Sequence, residues 1–125
     1  MKNTKGQSVK ILYGENESEH LNEHASSLQE AGHQVQKAIG RKGVQDALRT
    51  GSFDLVILGP TLSKDDRHHL PYMVKKANGN TRVLVLHESG HRHHEVDAAI
   101  DDPKDVHPIL DIIGRLTAQP PLVKK

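Results

Sequence analysis

Short apolar runs alternate with amphipathic stretches along most of the chain, the pattern of β-α-β units wound into a parallel sheet. Val9 to Tyr13 reads as a first strand. Leu21, Ala25 and Leu28 then recur at helical spacing, and Gly32 follows where a helix would end. His33 to Ala38 predicts a second strand, polar enough to lie at a sheet edge. Val44, Ala47 and Leu48 mark a short second helix closed by Gly51, with Gly40-Arg41-Lys42-Gly43 as a turn before it. Asp54 to Leu58 is almost wholly apolar, as a central parallel strand covered on both faces must be. After a polar loop, Leu70, Met73, Val74 and Ala77 predict a third helix with Pro71 near its start and Asn78-Gly79-Asn80 at its end. Arg82 to Leu86 and Asp97 to Ile100 are the fourth and fifth strands. Ile109, Ile112, Ile113 and Leu116 mark the inner face of a last helix, capped by Asp105 with Pro108 in its first turn. Between Leu86 and Val96 the chain is too short and too polar for a full crossover helix, so the fourth helix of a five-unit fold is expected to be shortened or missing.

With 125 residues there is room for one domain, expected over residues 9–117 between loose tails at 1–8 and 118–125. Seventeen lysines and arginines nearly balance 16 aspartates and glutamates, so no broad positive field favours nucleic acid as a partner. Aromatic stacking platforms are equally short of material, with two tyrosines, one phenylalanine and no tryptophan. The absence of cysteine excludes disulfides, thiol nucleophiles and thiolate metal sites, and fits a cytoplasmic protein. No apolar run is long enough to span a bilayer, and the first eight residues contain no signal-like apolar core, so no membrane partner is expected.

The middle strand ends on Gly59, where an acidic side chain would have made a phosphate acceptor. The order of elements resembles the receiver domain of bacterial two-component response regulators, the CheY-like fold, from about Val9 to Leu116. Lys10-Ile11-Leu12, Glu30-Ala31-Gly32 and Asp54-Leu55-Val56-Ile57-Leu58 carry the resemblance at ungapped spacing. It implies a flavodoxin-like, doubly wound α/β fold with a five-stranded parallel sheet in the order 2-1-3-4-5. It also implies a phosphorylation pocket at the carboxyl edge, built from an acidic magnesium-binding pair, a phosphoacceptor aspartate, a threonine or serine, and a lysine before proline. The matching positions are Glu15-Asn16, Gly59, His87 and Asp102-Pro103, of which only Glu15 and Pro103 keep the pattern.

Each replacement removes a piece of chemistry. Phosphoryl transfer to a protein needs an oxygen nucleophile, a cation and a positive clamp. Gly59 lacks the nucleophile, Asn16 lacks one anionic ligand, and Asp102 is negative where the clamp should be positive. The expectation is a degenerate, non-enzymatic pseudo-receiver with no catalytic residue and no cofactor, acting through a partner protein or a second copy of itself. His87 and Asp102 are candidates for a charge-assisted pair closing the old pocket.

Ten histidines are unusual for this length. Six are read as lying in two loops at the carboxyl edge: His68 and His69 after the third strand, and His87, His91, His93 and His94 after the fourth. The competing reading is therefore a ligand or metal module in which His68, His69, His91, His93 and His94 supply imidazoles to zinc, nickel or copper. A solvated polar loop is the simpler reading, and a pH-sensitive loop a third. His20 and His24 stand four residues apart on the first helix, but as HLNEH, with the acid beside the second histidine, they do not match the HExxH pattern.

Overall fold

The computed structural model describes residues 9–86, 98–100 and 107–118. The elements run β1 (Lys10–Glu15), α1 (Ser18–Glu30), β2 (Gln34–Ile39), α2 (Gly40–Thr50), β3 (Leu55–Leu58), α3 (Lys64–Ala77), β4 (Arg82–Leu86), β5 (Ala98–Ile100) and α4 (His107–Ala118). The strands pair in parallel in the order β2-β1-β3-β4-β5. The polar strand β2 takes an edge, while β3, with every residue buried, takes the middle.

Side chains alternate across the sheet with a period of two and feed two cores. On one face, Ile11 and Tyr13 of β1, Leu55 and Ile57 of β3, and Leu84 and Leu86 of β4 meet Leu21, Ala25 and Leu28 of α1 and Ile109 and Ile113 of α4. On the other, Leu12, Val56, Leu58, Val83 and Val85 meet Val44 and Ala47 of α2 and Leu70 and Val74 of α3. Fully burying each aliphatic side chain is worth roughly 1.5–3 kcal/mol. These two layers therefore hold the strand tips, and whatever stands on them, in fixed positions.

Two local expectations are corrected. The polar run expected to be a loop before the third helix is that helix's own N-terminus: Ser63 caps α3 by accepting from the Asp66 N–H at 3.1 Å, with Asp65 and Asp66 in the first turn. A capping serine and acids facing the helix's positive end outweigh the break expected from Pro71. Pro71 lies in the helix interior, where it is buried and lacks the N–H that would bond one turn back. Similarly, Arg41, Lys42 and Gly43 belong to α2 rather than to a preceding turn. Gly40 makes the abrupt strand-to-helix change with φ of 71°, a conformation that favours glycine. The expected short fourth helix and the Asp105 cap lie outside the described residues.

The start of β1 is tied by side chains as well as by the ladder. Asp54 accepts from the Lys10 N–H at 2.9 Å, and His33 Nδ1 accepts from the Val9 N–H at 3.2 Å. An accepting Nδ1 must be unprotonated, and burial lowers the His33 pKa below its ordinary value. A lowered folded-state pKa means that the unfolded chain takes up protons first, so stability is fully present above the unfolded value of about 6.5 and is lost as pH falls below it. Urea denaturation between about pH 8 and pH 5.5 is expected to show falling stability, with His33→Gln giving a shallower slope. An unchanged slope in that variant contradicts the assignment.

Candidate functional site

The site forms at the carboxyl ends of β1 and β3, where open parallel sheets carry their ligands. β1 ends on Glu15, whose side chain is 0% exposed, and β3 runs directly into Gly59. The two tips are linked by the Gly59 N–H donating to the Gly14 carbonyl at 2.9 Å. A side chain at position 59 has nowhere to go: an ideal Cβ there would lie 1.9 Å from Glu15 Cδ and 2.2 Å from Oε1. The backbone of Gly59 is not in the left-handed region. Glycine is therefore required for space and not for conformation.

The Glu15 carboxylate is held from several sides. Oε1 accepts from the Thr61 N–H at 2.9 Å and from the Thr61 hydroxyl at 2.6 Å, and Oε2 accepts from the Tyr13 hydroxyl. Thr61 Oγ1 in turn accepts from the N–H groups of Asn16 and Glu17, at 2.8 and 3.1 Å. One hydroxyl thus joins the loop after β3 to the entry of α1. Such a set of donors is what a buried carboxylate needs, because an unpaired charge at this depth would be strongly disfavoured. Burial, reinforced by the adjacent Glu15 charge, holds the Tyr13 phenol well above its ordinary pKa, so it remains a donor.

Two histidines of α1 complete the surroundings. His20 Nε2 lies 3.3 Å from Glu15 Oε2, within ion-pair distance, yet it is itself buried and forms no hydrogen bond. The two observations agree if the nitrogen is close but poorly directed. His24 Nδ1 stands 3.4 Å from the Tyr13 hydroxyl, and its ring meets that of His20 edge-on at 4.5 Å between centroids. Burial and then the neighbouring His20 lower the His24 pKa.

Of the positions matched to a phosphorylation pocket, Glu15 and Gly59 come together, and Asn16 is exposed at the start of the loop to α1. His87, Asp102 and Pro103 lie outside the described residues, as do His91, His93 and His94. His68 and His69 were expected in a loop but sit in α3, the first exposed and the second half-buried beside Tyr72. The cluster that sequence reasoning did not assemble is Glu15 with His20 and His24. Its signal was present, since each histidine directly precedes a residue of the buried stripe, Leu21 and Ala25. That spacing puts both at the margin of the face turned toward β1.

No protein-family profile and no curated protein sequence matches the chain. Solved structures do. A two-component response regulator from Clostridium difficile superposes with a TM-score of 0.77 at 14% identity, over 90% of this chain and 98% of that one. The response regulator TrrA of Thermotoga maritima, in complex with magnesium and beryllofluoride, gives 0.71 at 18% identity over 86% and 97%. The chemotaxis response regulator CheY4 of Vibrio cholerae gives 0.71 at 17% identity over 88% and 99%. The chain has the α/β fold of response-regulator receiver domains. Among the described residues no helix is long and apolar enough to cross a membrane.

The contact between positions 15 and 59 predicts coupled substitutions. Gly59→Ala alone is expected to destabilise by about 1–3 kcal/mol, because the buried carboxylate must move. With Glu15→Ala already present, the same change is expected to cost less than about 0.5 kcal/mol. Denaturant unfolding of the four proteins in the cycle measures the coupling, and strictly additive costs contradict the geometry.

Proposed function

We propose that this chain is a non-phosphorylatable receiver-like domain, a pseudo-receiver, that works in signal transduction by protein-protein interaction and has no enzymatic activity of its own. The observation that carries this reading is the replacement of the acceptor side chain by Gly59, with the Glu15 carboxylate folded into the vacated volume. Glu15 does bring a carboxylate to the tip of the middle strand, from the neighbouring strand. It is nevertheless closed to solvent, and its oxygens are engaged by Tyr13 and Thr61. A nucleophile in an in-line displacement needs open space in front of it for the incoming phosphoryl group, and the buried, packed position of Glu15 does not support that.

The state normally selected by phosphate is in this reading set by packing. A fold held in one state acts as a fixed surface, and its partner is a protein of a signalling pathway or a second copy of the chain. Balanced charge and the shortage of aromatics argue against nucleic acid.

Incubation with acetyl phosphate and magnesium, read by intact mass, is expected to leave the mass unchanged. A stoichiometric phosphoryl adduct at any carboxylate overturns the reading. Sedimentation velocity of the same protein, alone and mixed with a native cell extract, is expected to show it in a complex or self-associated. A strictly monomeric, unaccompanied species removes the interaction half of the proposal.

A further inference from the structure

We propose that Glu15, His20 and His24 form a binding site for a zinc-type transition-metal dication at the junction of β1 and α1. One donor atom from each of the three residues lies within 4.8 Å of the others. Two imidazoles one helical turn apart, joined by a carboxylate from a different element, form a nitrogen-rich, borderline-soft donor set that suits zinc, cobalt or nickel. Magnesium and calcium call for a shell of oxygens, and here Asn16 is exposed while Gly59 offers no side chain. The site is therefore not a residue of the magnesium pocket implied by the fold. It shares Glu15 with that pocket and takes its other two donors from a helix.

Three features of the unliganded arrangement point to a cation. First, His20 Nε2 is buried, forms no hydrogen bond, and stands 3.3 Å from the Glu15 carboxylate oxygen Oε2. Donors around a tetrahedral zinc are separated by roughly 3.3–3.5 Å, given metal-ligand bonds of about 2.0–2.2 Å. The His20-Glu15 spacing is already that of two ligands of one ion, and with all three donor atoms within 4.8 Å of one another His24 has at most about 1.5 Å to close. Second, Glu15 is oriented in advance by Tyr13 and Thr61, hydrogen-bonding partners of the kind that hold a ligating carboxylate in place. Third, His20 lines an open groove with Glu17, Glu19, Asn22, Glu23 and Ser26, whose three carboxylates raise the local concentration of cations beside His20. Three protein donors leave a fourth position for water or for a donor from a partner.

This inference stands on the geometry of α1 and β1 and does not depend on whether the domain accepts phosphate, so either can fail alone. The test is calorimetric titration of the full chain with zinc, paired with the visible absorption of cobalt, whose intensity rises in a tetrahedral site. One equivalent of zinc is expected to bind, with tetrahedral cobalt bands and a rise in melting temperature that magnesium does not reproduce. His20→Asn combined with His24→Asn is expected to abolish that equivalent while circular dichroism stays unchanged. Tyr13→Phe is expected to weaken it by about 10- to 100-fold. A variant carrying His91→Asn, His93→Asn and His94→Asn is expected to retain it. If zinc binding follows the 91–94 histidines, persists without His20 and His24, or is absent, the site is disproved.

Discussion

A single buried carboxylate organises the carboxyl edge of this fold. Glu15 leaves the tip of β1, turns over Gly59 at the tip of β3, and is fixed there by Tyr13 and by both donors of Thr61. The arrangement is self-consistent only with glycine at 59. Any side chain there displaces the carboxylate, and a displaced carboxylate leaves the half-buried Thr61 N–H and hydroxyl without their acceptor. The second strand of dependence runs through Thr61, whose hydroxyl accepts from the first N–H groups leading into α1. The middle strand, the loop after it and the start of α1 are thereby one polar unit set on two apolar layers.

In the proposed reading, the consequence for function is a change in what the pocket responds to. In a receiver that accepts phosphate, the strand tips present an empty acidic cup, and an added phosphoryl group rewires it. Here the volume directly over β3 is filled from within by the Glu15 carboxylate. The histidines of α1 then stand where the remaining unmet polarity is concentrated. A dication bound there would tie α1 to β1 without any covalent change.

Most of the architecture was legible in the chain because it rests on local periodicity. The four-residue run of β3 can only be a doubly covered strand, and Leu21, Ala25 and Leu28 can only be one helix face. Misreadings arose where a short-range rule met a competing one. Pro71 suggested a helix start, yet the Ser63 cap and the acids behind it begin the helix two turns earlier. Gly40 and Gly43 suggested a turn, although one left-handed residue was enough to enter α2. The loss at Gly59 could be read directly, since a missing side chain needs no geometry. What fills the gap could not, because the direction of the Glu15 side chain is set by Thr61, 46 residues away. His20 and His24 were visible as a pair, but their third member becomes apparent only once β1 and α1 are packed.

The central claim is that the volume of the acceptor site is already occupied by Glu15. Fluorine NMR of the protein with magnesium and beryllofluoride, an anion that lodges in open receiver pockets as a phosphoryl mimic, tests it most directly. Only the resonances of free fluoride species are expected, at every protein concentration. A bound, saturable beryllofluoride signal at the tip of β3 would show that the pocket is open and contradict the account.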